Sequence, residues 1–267
     1  MRMKATVFLG GGHITGALAA GLRLARFSGE IVVYDRNPGK LRALRRESRI
    51  EIARDLKSAV QRAGLLVIAV RPASVMGMLG EVAACGVTPP KLCISLAAGI
   101  PLRNLRAWLG PAVHWARAMP SPVCRITKGF TPVSFVRSVT PVERARVRQL
   151  FAYVGPVLDL PERKLDAITA AHSPTHGYHA LATLAKAAQD AGLDRATALT
   201  AAAHALSDGI SYWRESGQPL EDLLREAATP GGIAAATMSA MDAAGYQRVV
   251  KAGIRAGVKQ ARRSAQR

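Results

Sequence analysis

The sequence predicts an α/β protein in two parts, an N-terminal Rossmann-type doubly wound parallel sheet over residues 1–160 followed by an all-α region over residues 161–267. Three observations carry this expectation. Short apolar runs alternate with amphipathic stretches up to about residue 160, and a glycine-rich turn stands at the first strand-to-helix junction. Beyond that point the apolar runs give way to alanine-rich segments at helical spacing.

The predicted strands are "ATVFLG" (5–10), "EIVVYD" (30–35), "LLVIAV" (65–70) and "LCISLA" (92–97), all rich in β-branched or aliphatic residues. They read as continuous apolar runs, the pattern of a parallel sheet covered on both faces. Helices are expected between them at 14–26, 39–47, 55–63 and 74–85. In the second part, helices are expected at 163–171, 174–190, 194–215, 219–227 and 233–263, where alanine and leucine favour helix and small side chains allow close packing. Pro156 and Pro161 mark the boundary within "VGPVLDLPERKLD" (154–166).

Composition narrows the class. The 267 residues are 49% hydrophobic, enough for one large or two ordinary cores. Runs such as "GLLVIAV" are far shorter than the roughly 20 residues of a membrane span, and the N-terminus enters a strand without the pattern of a signal peptide. A cytoplasmic protein with no membrane partner is expected. Cys85, Cys93 and Cys124 lack C-x-x-C spacing and read as buried free thiols. The net charge of +19 comes from 37 Lys and Arg against 18 Asp and Glu. Those arginines are spread along helical stretches with few aromatics between them, which reads as a solvated basic surface drawing anionic ligands rather than a nucleic-acid site.

"VFLGGGHITGAL" follows a predicted strand and opens a predicted helix, the context a dinucleotide fingerprint requires. Gly10 permits a tight turn, Gly12 lets backbone approach a pyrophosphate, and the helix N-terminus supplies unpaired N–H groups. At the end of the second strand, Asp35 suits the ribose hydroxyls of NADH, whereas Arg36 and Lys40 suit the additional phosphate of NADPH. Both coenzymes remain open on these residues.

"AHSPTHGYHA" (171–180) places His172, His176 and His179 close together. With Ser173 as N-cap and Pro174 as first helical residue, His172 falls outside the helix, His176 in its first turn and His179 one turn on. Metal binding is not expected, because Pro174 interrupts the helical spacing and the stretch has no carboxylate. His204 and Asp208 share a turn spacing that a solvated pair explains. His176 reads either as a group acting on substrate or as a helix-start histidine without chemistry.

In six stretches the chain resembles the pyrroline-5-carboxylate reductase family: "FLGGGHITGAL", "AVRP" (69–72), "SLAAGI" (95–100), "RAMPSP" (117–122), "DAITAAHSPTHGY" (166–178) and "TPGGIAAATM" (229–238). The resemblance implies a Rossmann domain, a helical domain that forms a homodimer and often larger rings, and hydride transfer from NADPH or NADH to the C=N bond of a cyclic imine. It implies that Gly10, Gly12, His13 and Ile14 lie near the pyrophosphate, with Asp35, Arg36, Asn37 and Lys40 at the adenosine end. Ala69, Val70, Arg71, Pro72, Ala97, Ala98, Gly99, Met119 and Pro120 fall near the nicotinamide half. The substrate is expected among His172, Ser173, Thr175, His176, Thr229, Gly231, Gly232, Ile233 and Ala234, with His176 as the catalytic candidate.

The departures from the family pattern gather at the substrate end. "HSPTHGY" replaces S-G-S-G-P-A-Y, retaining Tyr178, and "MPSP" is one residue shorter than M-P-N-T-P. Ala234 stands where the family has a threonine whose hydroxyl contacts the imine nitrogen, and Leu56 where an asparagine often reaches the adenosine ribose. An alanine cannot hold a proton near that nitrogen, whereas imidazole, with an ordinary pKa of about 6.5, can. These departures leave a second reading open, a catalytically silent NAD(P)-binding dimer acting as a sensor or partner-binding protein.

Overall fold

The computed structural model describes residues 5–264. Those residues form two compact units, one of residues 5–172 with 257–264 and the other of residues 173–256. Residues 1–4 and the last three residues of the basic tail lie outside the described part.

The first unit is built on an eight-stranded sheet. The strands are β1 (Ala5–Leu9), β2 (Ile31–Tyr34), β3 (Glu51–Ile52), β4 (Ala63–Ile68), β5 (Leu92–Ser95), β6 (His114–Ala118), β7 (Thr131–Phe135) and β8 (Val157–Asp159), in the spatial order β3-β2-β1-β4-β5-β6-β7-β8. Every neighbouring pair is parallel except β6 with β7. The sheet is the expected doubly wound, mostly parallel one, with a single antiparallel pairing between β6 and β7. Helices α1 (His13–Leu24), α2 (Pro38–Glu47), α3 (Leu56–Arg62), α4 (Val75–Ala84), α5 (Leu102–Leu109) and α6 (Pro141–Ala152) accompany the strands. Burial follows the apolar runs: Phe8, Leu9, Leu65, Leu66, Ile68 and Ile94 are all enclosed, with Leu18, Leu22 and Leu79 from the helices packed into the same core.

The sheet places β1 in its interior, third in the strand order, with Leu9 beside Tyr34 on one side and Ile68 on the other. The C-terminal ends of β1, β2 and β4 thus open at one edge, where ligands of doubly wound sheets bind. Helix α7 (Leu165–Ala171) closes the main segment of this unit.

The second unit is helical. α8 (Thr175–Asp190) packs against α9 (Arg195–Ser216), and α10 (Leu220–Ala227) and α11 (Ile233–Ala243) follow. Helix α12 (Tyr246–Ser264) begins in this unit and ends in the first. The single helix expected over 233–263 is two, because Gly245 takes φ +83 and its N–H turns back to Asp242 O at 2.9 Å, a C-terminal stop that a residue with a Cβ rarely adopts. Helix α8 starts one residue later than expected, at Thr175, with Pro174 at its N-cap. Ser173 still accepts from Thr175 N at 3.4 Å and, through its carbonyl, from His176 N at 3.1 Å.

Candidate functional site

The turn between β1 and α1 is the best-determined part of the site. Gly10 has φ +112, and a Cβ there would lie 2.6 Å from Ala69 O, so both conformation and space demand glycine. Gly12 is the N-cap of α1 with no side-chain cap, and a Cβ on it would meet nothing within 4 Å. The first turn of α1 contains no acidic residue. The result is an open helix N-terminus whose N–H groups and positive potential suit a phosphate. Thr15, at the third fingerprint position, is buried and donates its hydroxyl to Gly10 O at 2.6 Å, bracing the turn.

This turn floors a cavity of about 850 Å³ lined by Gly10, Gly11, Gly12, His13 and Ile14 with Asp35, Arg36 and Lys40, and by Ala69, Val70 and Arg71 on the far side. Its charges are partly matched. Asp35 accepts from Gly11 N and from Asn37 N, each at 2.7 Å, tying the β2 end to the glycine turn. Arg36 pairs with Glu81, and Arg125 with Glu47 at 3.6 Å. Attraction to Glu81 raises the Arg36 pKa, chiefly through their hydrogen bond. The Lys40 and Arg71 side chains have no ion pair among the described residues, which leaves cationic character for an anionic ligand.

Other residues expected at the coenzyme lie outside this lining. Asn37 caps α2, its side chain accepting from Lys40 N at 3.2 Å. Pro72 begins a 3-10 turn to Ser74, and Ala97, Met119 and Pro120 are buried while Ala98 is half-buried. Gly99 has φ +77, and a Cβ on it would fall 1.8 Å from Ala261 O near the end of α12. Sequence reasoning missed Arg125, Glu47 and Glu81, which line the cavity from the 3-10 turn Pro122–Ile126, α2 and α4. Nothing in their local pattern distinguishes them from surface charges. Only the packing of the Pro122–Ile126 turn on α1, where a Cβ on Gly21 would lie 1.9 Å from Cys124 O, brings Arg125 there.

His172 forms the C-cap of α7 and belongs to the first unit. Its Nε2 lies 2.9 Å from Met119 O and its Nδ1 3.3 Å from Thr169 O, while its ring stands edge-on to Phe130. Both ring nitrogens therefore face carbonyl oxygens. Ser173, Thr175, His176, Thr229, Gly231, Gly232, Ile233 and Ala234 all lie in the second unit. His176 and His179 are exposed in the first turns of α8. Gly231 has φ +75, and Gly232 is the N-cap of α11, again without a side-chain cap or an acid in the first turn. Ile233 is 89% exposed.

Among the described residues, no group of three or more His, Cys, Asp or Glu side chains is placed to hold a metal ion. His204 and Asp208 form an exposed pair at 2.9 Å, and the hydrogen bond from His204 lowers the Asp208 pKa. Cys93 and Cys124 are buried, and burial holds the Cys124 thiol up at about 12, so it stays protonated. None of the described helices is long and apolar enough to cross a membrane.

The chain matches known proteins along its length. Residues 162–264 match the family model described as pyrroline-5-carboxylate reductase dimerisation, and residues 6–99 match one described as NADP oxidoreductase, coenzyme F420-dependent. The pyrroline-5-carboxylate reductase of Mycobacterium tuberculosis is 29% identical over 95% of this chain and 94% of that protein. That of Escherichia coli is 27% identical over 91% of each chain. Among solved structures, the Plasmodium falciparum pyrroline carboxylate reductase with NADP bound has a TM-score of 0.88 at 19% identity, covering 99% of both chains. The Streptococcus pyogenes 1-pyrroline-5-carboxylate reductase has a TM-score of 0.89 at 22% identity, covering 97% of this chain and 98% of that one. The matched dimerisation region, and relatives aligned over nearly the whole length, make this chain similar to pyrroline-5-carboxylate reductases.

Proposed function

We propose that this protein is an NAD(P)H-dependent reductase that transfers a hydride to the C=N bond of a cyclic imine, either pyrroline-5-carboxylate itself, as in proline biosynthesis, or a related imine. The observation that carries the reading is the glycine turn, with its open helix N-terminus and its cavity of about 850 Å³, in a chain of which 91% to 95% aligns with pyrroline-5-carboxylate reductases. The residues fit a dinucleotide. Gly10, Gly12, His13 and Ile14 would hold its pyrophosphate, and Asp35, Arg36, Asn37 and Lys40 would shape the adenosine end. Ala69 to Pro72, Ala97 to Gly99, Met119 and Pro120 would define the nicotinamide half. When bound, the dihydronicotinamide supplies the hydride.

The protein's own contribution is binding, orientation and a proton. A substrate carboxylate would be held by the amides that open α11, after Thr229, Gly231 and Gly232, with Ile233 and Ala234 beside it. An imine accepts hydride better as its iminium. His176 can hold the required proton at a ring nitrogen, a role the methyl group of Ala234 cannot fill. Ser173 and Thr175 would flank it at the start of α8.

The active form is proposed to be a cytoplasmic homodimer. Ile210, Trp213, Leu224 and Val249 are all substantially exposed in the single chain, and α10 and α11 bury no residue. A second copy covering these side chains would remove apolar area from water at about 25 cal/mol per Å². Sedimentation should give a dimer that Trp213→Glu dissociates.

The function is tested by coenzyme oxidation in the presence of pyrroline-5-carboxylate and a panel of cyclic imines with and without a carboxylate. Saturable turnover with at least one imine is expected. Tight coenzyme binding with no turnover across the panel would overturn the reading.

A further inference from the structure

The segment that leaves β6 is held in place by few backbone groups. Pro120 has no N–H to give. Met119 N donates to Pro132 O at 3.0 Å, and Ser121 N to Phe130 O at 3.1 Å. The Met119 carbonyl, in a residue only 5% exposed, points at His172 Nε2 at 2.9 Å. A carbonyl oxygen only accepts, so this contact requires the proton on Nε2.

Helix α7 carries His172 and is fastened to the same strand end from both of its termini. At its start, Asp166 Oδ1 lies 3.1 Å from Arg117 Nη2, and Arg117 is 2% exposed. Arg117 Nη1 also reaches Glu162 Oε1 at 3.1 Å, and that oxygen accepts from Leu102 N at 2.7 Å, at the first residue of α5. At the far end of α7, His172 closes the clamp on Met119, with Phe130 against its ring. Arg117 and Met119 are two residues apart, so one short helix sets the position of one short turn. That turn runs on through Ser121 into the 3-10 turn Pro122–Ile126, whose Arg125 lines the dinucleotide cavity.

We propose that His172 is a positioning residue for the nicotinamide half of the coenzyme, acting through the Met119 carbonyl rather than by touching substrate. The inference rests on the coenzyme reading above. Both ring nitrogens of His172 are turned to carbonyls, and the Met119 peptide it grips is among those that the coenzyme reading sets at the nicotinamide half. Loss of the grip leaves a buried carbonyl without its donor and lets the Met119–Pro120 turn relax, while the glycine turn, Asp35 and Lys40 are untouched.

The test compares two ligands of the full-length protein: the tighter-binding of NADPH and NADH, and the matching fragment without nicotinamide, ADP-ribose or its 2′-phosphate. His172→Leu keeps an apolar body against Phe130 but has no donor, whereas His172→Gln keeps an N–H. His172→Leu should weaken the dinucleotide about 10-fold, the size of one lost buried hydrogen bond, and leave the fragment within about 2-fold. His172→Gln should recover most of the loss. Equal weakening of both ligands, no weakening of either, or failure of glutamine to rescue would overturn the proposal. Melting temperatures of both variants show whether a loss comes from unfolding, which would weaken both ligands alike. A wild-type protein that binds neither ligand would instead overturn the coenzyme reading, and this inference with it.

Discussion

Two glycine turns, each opening a helix, occupy opposite ends of the proposed reaction. At Gly10 the backbone has φ +112 and a Cβ would lie 2.6 Å from the Ala69 carbonyl, with the Thr15 hydroxyl bracing the same residue from below. At Gly231 the backbone has φ +75, but a Cβ would meet nothing within 4 Å, and the following Ile233 is almost wholly exposed. The first turn is fixed by its own chain. The second has its conformation set locally, and its surroundings in the single chain are open. Of the departures from the family pattern, Ala234 lies at this second turn, where changing a side chain disturbs little of the fold.

The largest effect expected from this contrast is at the first turn. Gly10→Ala adds strain and a backbone collision, and should destabilise the protein by about 2 kcal/mol or more and abolish coenzyme binding. Gly231→Ala should cost about 1 kcal/mol and leave coenzyme binding intact. Urea unfolding with coenzyme titration separates the two, and equal losses would break the comparison. His176→Ala should lower turnover about 100-fold while the coenzyme dissociation constant changes by less than about 2-fold. Parallel loss of both would remove His176 from the chemistry. Lys40→Gln should weaken NADPH about 10-fold and NADH little, because only NADPH carries the extra phosphate. The ratio of the two dissociation constants checks it.

Smaller changes sharpen the substrate end. Ala234→Thr should alter turnover with pyrroline-5-carboxylate severalfold upward if the hydroxyl supplements His176, as steady-state kinetics would show. The smallest effect concerns acid. Asp194 caps α9, and its hydrogen bonds from Thr197 hold its carboxyl below the usual range. Its stabilisation is present above the ordinary carboxylate pKa and is lost as pH falls through the lowered value. Circular dichroism during acid titration should show this component vanish in Asp194→Asn.

Much of the first unit was legible because its strands are apolar throughout. The expected runs at 5–10, 30–35, 65–70 and 92–97 overlap β1, β2, β4 and β5 within a residue or two at most ends. β6 and β7 were not legible. "HWARA" carries a charge, and Arg117 is buried only because Glu162 and Asp166 come to meet it from about 45 residues away. β7 contains Pro132, which argues against an interior strand, yet its carbonyl side is what Met119 N uses. Similarly, periodicity ran straight through Gly245, because a single residue of positive φ leaves no mark on an alanine-rich pattern. At the site, the glycine fingerprint and the Asp35 region were readable from local spacing. The grip of His172 on Met119 spans 53 residues and had no local signal.

Hydride transfer to an imine carbon is followed by isotopic labelling. The protein would be incubated with a reactive cyclic imine and coenzyme carrying deuterium at the transferable nicotinamide position, and the product examined by mass spectrometry and NMR. Deuterium on the former C=N carbon is the predicted result. Coenzyme oxidised without label in the product, or bound and left unoxidised with every imine, would contradict it.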